Sequence, residues 1–234
     1  MFQGKMKALT FSYDDGVTQD RRLIAILDRY GLKGTFNLNS GLFTAAHAFY
    51  DEAKNITFPH VCLRASEVAQ VYGGHEVAVH TKTHPMLNRL TDEQIIEEVE
   101  EDRIALSALA GYDIHGMAYP VGSCAVDDRV TEVIRKHTGV RYSRTTTDTH
   151  NFDLPDDPLL LHPTVRHADK QAAEALADRF LALTPDKPQL FCIWGHAYEL
   201  DRDDDWEWFE AFCRRISGRD DIFYGTLSQI LPVS

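Results

Sequence analysis

The 234-residue sequence has no apolar stretch approaching the length of a transmembrane helix, so no membrane-spanning segment is expected. It also lacks an apolar leader core: Met1-Phe2-Gln3-Gly4-Lys5-Met6 runs straight into a strand-like segment. As the sequence stands, the expectation is a cytoplasmic protein, or a secreted one if a leader has been removed. Cysteine is scarce. Cys62, Cys124, Cys192 and Cys213 are widely spaced and form no Cys-x-x-Cys pair, which reads as reduced structural thiols rather than a disulfide framework. Positive charge is in deficit, with 24 Lys and Arg against 36 Asp and Glu and a formal charge of −12. Phosphate contacts need clustered cations, so a nucleic-acid partner is not expected. An acidic surface suits a neutral or cationic substrate, and it serves solubility equally well.

Low-complexity tracts, long linkers and short repeats are also missing, and the whole chain, 1–234, reads as one domain. What is present is a recurring alternation of strand-like and helix-like patterns. Strands are expected at Lys7–Asp15, Lys33–Asn39, Glu76–His80, Ile114–Tyr119, Val140–Thr145, Leu159–Val165, Gln189–Trp194 and Ile222–Tyr224. Helices are expected at Gln19–Tyr30, Ala65–Tyr72, Thr91 to Gly111, Val126–His137, Lys170–Leu183 and Asp205–Ser217. Thr91 and Gln94 form a capping-box pattern before an apolar stripe that Gly111 ends. Residues 40–63 read as irregular. Seven or eight β-then-α steps predict a distorted (β/α) barrel with parallel strands, and a doubly wound sheet is the competing architecture.

In such folds chemistry gathers at the C-terminal ends of strands. The expected strand ends carry Asp14-Asp15-Gly16, then His80 with His84, then Tyr119-Pro120-Val121-Gly122. Arg141, Arg144, His162, Arg166, His167 and Trp194-Gly195-His196 occupy the later ones. Two adjacent carboxylates repel unless a positive charge lies near, and a divalent cation ligated by one would stabilise both. Asp-Asp-Gly is also ordinary turn chemistry. His80 and His84 are spaced to reach one ion from a single turn, and Pro85 keeps that turn short. Two His and one carboxylate with open positions is a layout for catalytic zinc, and for other first-row metals. His196 reads as a ligand, a general acid or a packed strand-end histidine; Trp194 reads as a sugar platform or as core.

These segments resemble the polysaccharide deacetylase family of carbohydrate esterases. Thr10-Phe11-Ser12-Tyr13-Asp14-Asp15-Gly16 is similar to its first motif, Thr-Phe-Asp-Asp-Gly, with two extra residues before the acids. His80-Thr81-Lys82-Thr83-His84 matches its second, and the likeness runs from about Lys7 to Leu231. The resemblance implies a distorted, often incomplete barrel in which Asp14 is the general base and Asp15, His80 and His84 hold a divalent metal. Zinc is the default, with cobalt, nickel, manganese or iron fitting the same ligands. It further implies His196 as general acid and the Val121 backbone amide as a substrate contact; Tyr119 and Trp194, at their strand ends, are further candidate substrate-binding positions.

Two departures stand out. Ala118 occupies the position where the family's third motif carries the arginine that supports the base; of Arg141, Arg144 and Arg166, Arg144 ranks first as a replacement. The fourth motif has no match in 140–160, leaving the acid that tunes His196 unassigned. The implied activity is removal of acetyl groups from N-acetylated amino sugars of an oligo- or polysaccharide. The rivals are hydrolysis of another C–N bond such as a cyclic imide or ureide, esterase action on acetylxylan, and a silent carbohydrate-binding protein.

Overall fold

The structure, a computed structural model, describes residues 2–52 and 54–231. Its strands are β1 (Lys7–Asp14), β2 (Gly34–Leu38), β3 (Ala46–Asp51), β4 (Ile56–Val61), β5 (Glu76–Val79), β6 (Gly116–Ala118), β7 (Tyr142–Arg144), β8 (Val165–Arg166), β9 (Gln189–Gly195) and β10 (Ile222–Tyr224). The helices are α1 (Asp20–Arg29), α2 (Val68–Val71), α3 (Asp92–Ala110), α4 (Asp128–His137), α5 (Lys170–Ala182), α6 (Ala197–Arg202), α7 (Trp206–Ile216) and α8 (Leu227–Ile230). Among the described residues, no helix is long and apolar enough to cross a membrane.

Eight strands, all parallel, build one sheet in the order β7-β6-β5-β2-β1-β9-β8, with β10 paired to the start of β1. β1 is the spine. Every residue from Lys7 to Asp14 is buried, as a strand covered on both faces requires. It pairs with β9 along most of its length, with β10 over Lys7–Leu9 and with β2 over Phe11–Asp14. The sheet curls: β7 lies four places from β1, yet Arg144 Nε donates to Ser12 Oγ at 2.9 Å across the interior. Leu161, bridged to Arg144 and bonded through its N–H to Ser143 O at 2.9 Å, carries the wall on from β7. The result is the distorted α/β barrel expected.

Helix ends follow local chemistry. Thr91 Oγ1 accepts from Gln94 N while Gln94 Oε1 accepts from Thr91 N, closing the capping box of α3, and Gly111 ends it at φ 80°. Asp127 and Asp169 cap α4 and α5 through Val130 N and Ala172 N.

Two stretches differ from the sequence reading. Leu159–Val165 forms a short 3-10 turn, a one-residue bridge at Leu161 and only the two-residue β8, because Pro158 and Pro163 lack the N–H a ladder needs. Residues 40–63 are not irregular throughout: β3 and β4 pair antiparallel, Ala46 opposite Val61 to Asp51 opposite Ile56. Pro59 hides this hairpin in the sequence, and it is tolerated because a two-stranded ribbon consists of edges only.

The N-terminal end of the barrel is a polar lock. Buried Glu76 accepts from Thr35 Oγ1 at 2.8 Å, Ser228 N at 3.0 Å and Tyr142 Oη at 2.7 Å, tying β5 to β2, β7 and α8. Gly116 makes room for it, since a Cβ there would lie 2.0 Å from Tyr142 Oη. Tyr142→Phe leaves a buried carboxylate oxygen short of a donor, at a cost of about 1–3 kcal/mol. A lower urea midpoint with unchanged slope is the expected result; an unchanged midpoint would show that the lock contributes nothing.

Candidate active site

At the opposite end the strand termini surround a cavity of about 550 Å³. Asp14 is the last residue of β1, and the chain then turns out of the sheet through Asp15 at φ 78° and Gly16 at φ 63°. Gly16 also passes close to β2, where a Cβ would stand 2.8 Å from Leu38 Cδ2. Adjacent side chains on a regular strand face opposite ways; this turn lets both carboxylates line one cavity. Thr81 at φ 66°, His84 at φ 61° and Val121 at φ 61° share the left-handed conformation. For β-branched Thr and Val it is strained, and such strain persists where the surroundings enforce it.

Asp14 is held rigidly. Arg144 Nη2 alone donates to both carboxylate oxygens, reaching Oδ2 at 2.6 Å, and Asn37 Nδ2 donates to Oδ1 at 2.8 Å. Arg144 is fully buried, braced by Ser12 Oγ and Thr145 O and lying over the Trp194 ring at 4.9 Å. Burial alone would raise the Asp14 carboxyl, but Arg144, then His80 and His196, outweigh it and hold it below its usual value. The arginine absent at Ala118 is thus replaced spatially by Arg144, one strand further along the sheet.

Asp15, His80 and His84 bring three donor atoms within 4.8 Å of one another. Asp15 Oδ1 faces His80 Nε2 at 3.6 Å and His84 Nε2 at 3.8 Å, while its Oδ2 meets His60 Nε2 at 3.1 Å. His80 Nδ1 lies 2.8 Å from Ala118 O, so the proton sits there and Nε2 offers a lone pair to the cluster. Burial pushes the His80 imidazole down to about 4, despite the opposing pull of Asp14, which keeps it neutral as a ligand must be. Asp15 is lowered: burial works against this, but His60, His196, His80 and His84 together prevail. The 80–84 turn is pinned from both sides. Asn39 Nδ2 donates to Thr81 O at 2.8 Å, buried Asp102 accepts from His80 N at 3.2 Å, and Glu98 accepts from Thr83 N at 2.8 Å. The neutral His80 imidazole, the His84 ring and an ionised Asp15 converging in this way fit a divalent cation.

His196 follows β9 and opens α6. Its Nε2 is 4.0 Å from Asp14 Oδ2, and its Nδ1 is 3.4 Å from Glu199 Oε1, within ion-pair range but off the line of a hydrogen bond. Glu199 is the acid that sequence reasoning left unassigned; it stands three residues on in a capping-box position, which was the available signal. It also pairs with Arg166 and lies 3.6 Å from His167 Nε2. Asp148, in the stretch where an acid was sought, serves Trp194 instead, accepting from Nε1 at 2.6 Å.

The expected substrate positions separate. Val121 is 46% exposed at the cavity edge. Trp194 is buried, with the Arg144 and Arg166 guanidinium groups 4.9 and 5.2 Å from its ring, and forms part of the cavity wall. Tyr119 has no exposed surface, and its hydroxyl is committed to Leu159 O at 3.0 Å, so it backs the cavity rather than presenting its ring. Arg141 lies outside, bonded to Thr138 O and Val140 O. Asn37 and Asn39 were missed although each interrupts an apolar strand ending, and His60 was missed with its hairpin.

Fold and site together define an α/β-barrel protein with a carboxylate–imidazole centre at the C-terminal ends of its strands. The chain matches the family model for polysaccharide deacetylase over residues 3–142, and it belongs to that family. Chitin deacetylase 3 of Cryptococcus neoformans is 32% identical over 152 residues, covering 65% of this chain and 33% of the relative; the chain thus spans about a third of that relative's length. Among solved structures, a family 4 carbohydrate esterase from Streptomyces lividans in complex with acetate aligns with TM-score 0.55 and 21% identity, over 91% of this chain and 86% of that one. A family 4 acetyl xylan esterase from Clostridium thermocellum in complex with a cobalt ion aligns with TM-score 0.58 and 15% identity, over 96% and 90%. At these identities the structural matches speak for the barrel alone.

Burial works to lower His196, but Glu199 first, then Asp15 and Asp14, raise it above its usual value. Its contribution to stability is therefore complete below the unfolded value of about 6.5 and is lost as pH rises through the folded value. Glu199→Gln removes the largest raising influence, so the imidazole titration of the metal-free protein, followed by NMR, shifts to lower pH. No shift, or an upward one, would contradict this assignment of the charge.

Proposed function

We propose that this protein is a divalent-metal-dependent deacetylase, acting as one catalytic domain, that hydrolyses the acetamido group of N-acetylated amino sugars. The observation that carries the reading is the separation of the two adjacent carboxylates. Asp15 faces the His80–His84 donors, while Arg144 and Asn37 hold Asp14 apart and turn it toward His196. Membership of the deacetylase family and the likeness to a chitin deacetylase support the substrate class.

Asp15, His80 and His84 would hold the cation, zinc by default with cobalt, nickel, manganese or iron fitting the same donors. Bound there, it supplies Lewis acidity and makes a water acidic enough to lose its proton near neutrality. Asp14 accepts that proton, since Arg144 keeps it ionised and fixed in place. The Val121 N–H, at a strained and exposed turn, serves the developing oxyanion. His196, whose protonated form Glu199 favours, delivers a proton to the departing amine, a poor leaving group without it. The chemistry splits the amide into free amine and acetate.

The reading of a ring-opening C–N hydrolase draws on the arginine missing at Ala118; Arg144 against Asp14 supplies a guanidinium there and supports the deacetylase reading. Esters of hemicellulose differ from amides in needing less help at the leaving group. Acetate release measured on chitooligosaccharides, peptidoglycan fragments and acetylxylan separates these substrates, and activity confined to acetylxylan would overturn the amide assignment. Asp14→Asn and His196→Ala are expected to cut kcat by several orders of magnitude while the purified variants still bind metal. Near-normal turnover by either variant would remove the role assigned to that residue. A chain that binds chitooligosaccharides and never releases acetate would be a binding protein.

A further inference from the structure

The β3–β4 hairpin has no place in the mechanism above, yet it sets His47 along the cavity and brings His60 against the centre. His60, on β4, is buried and puts Nε2 3.1 Å from Asp15 Oδ2. A carboxylate there can only accept, so His60 Nε2 carries the proton and donates. The contact divides Asp15 between two neighbourhoods: Oδ2 turns to His60, and Oδ1 faces His80 at 3.6 Å and His84 at 3.8 Å. His60 stays outside the group of donor atoms that Asp15, His80 and His84 bring within 4.8 Å of one another.

The imidazole is clamped. Phe49 from β3 meets it edge-on at 5.3 Å and Tyr198 from α6 at 5.2 Å. Phe58, on the same strand, stacks on Tyr198 at 5.5 Å, fastening the hairpin to α6. The base of the hairpin is stitched to the turn that carries Asp15. Leu63 N donates to Gly16 O at 2.9 Å, Thr18 N donates to Val61 O at 2.8 Å, and Val17 bridges Cys62. The base of the hairpin is therefore tied directly to the turn that presents the carboxylate.

We propose that His60 is a positioning residue for the metal-binding carboxylate: by holding Oδ2 it leaves Oδ1 as the single oxygen offered to a cation and keeps a coordination position open for water and substrate. This rests on the reading of Asp15 as a metal ligand. A carboxylate released from such a partner turns freely and can present both oxygens, and loss of an outer partner of this kind typically costs about 10–100-fold in metal affinity.

The test is Co²⁺ binding to the full chain, read by competition with a chromophoric chelator and by the visible spectrum of the bound ion. His60→Phe keeps an aromatic ring between Phe49 and Tyr198 and loses the donor; His60→Gln keeps an amide N–H near the place of Nε2. The expected result is a loss of about 10–100-fold for His60→Phe with a weaker, altered visible band, and substantial recovery of both in His60→Gln. Should His60→Phe fail to fold by circular dichroism, His60→Asn, whose shorter amide falls away from Oδ2, replaces it in the comparison. Wild-type affinity and spectrum in the variant lacking the donor, while Asp15→Ala abolishes binding, would overturn the role of His60 and leave the metal site standing. Failure of the wild-type chain to bind Co²⁺ would overturn both.

Discussion

The buried pair of Arg144 and Asp14 is the constraint on which the rest of the centre depends. Taking two charges out of water costs several kcal/mol per ion, and this is recovered only when geometry is good and remaining hydrogen-bonding groups are satisfied. Here Arg144 spends its donors on Asp14, Ser12 and Thr145 while its flat face rests on Trp194. The pair spans the barrel from β7 to β1, so it brings a charge to Asp14 and also ties opposite walls together. A barrel too wide or too flat would leave both ions unpaired in the interior.

That pair also resolves the conflict between neighbouring carboxylates. Asp14 and Asp15 are consecutive, and two negative charges so close destabilise each other. The chain assigns each its own cation-like surroundings. Asp14 faces Arg144 and Asn37 within the barrel, while the left-handed turn swings Asp15 toward three imidazoles at the mouth. Backbone strain at Asp15, Thr81, His84 and Val121 falls on the same rim. The surrounding network, including Asn39, Asp102 and Glu98 around the 80–84 turn, holds those conformations.

The two ends of the barrel divide labour in the manner of α/β barrels. Glu76, Tyr142 and Thr35 close the N-terminal end with neutral and charged hydrogen bonds that serve stability. The C-terminal end turns its polar groups toward a cavity, and there Asn37 Oδ1, His60 Nδ1 and His196 Nδ1 are without a hydrogen-bond partner among the described residues. Glu199 is almost wholly buried behind that cavity and is shared among His196, His167 and Arg166.

The sequence by itself determined the alternation of strands and helices, the parallel sheet, and which strand ends carry Asp14, Asp15, His80, His84 and His196. These follow from local periodicity, capping residues and the rule that chemistry sits where parallel strands finish. It did not reveal the hairpin, because Pro59 in β4 and the exposed run Ala46 to Tyr50 in β3 erase the alternating pattern of a half-buried strand. It overextended β8, because apolar character outweighed Pro158 and Pro163 in the reading. It could rank Arg144 only as a candidate, and it placed Tyr119 at the substrate where the fold commits its hydroxyl elsewhere. Only the tertiary structure decided that Arg144, 130 residues from Asp14, is its partner, that Glu199 serves His196, and that His60 reaches Asp15. The physical reason is that hydrogen bonds and ion pairs form between atoms a few ångströms apart. Curvature of the sheet, set by the packing of every strand at once, brings residues from distant strands to that range, and no local pattern records it.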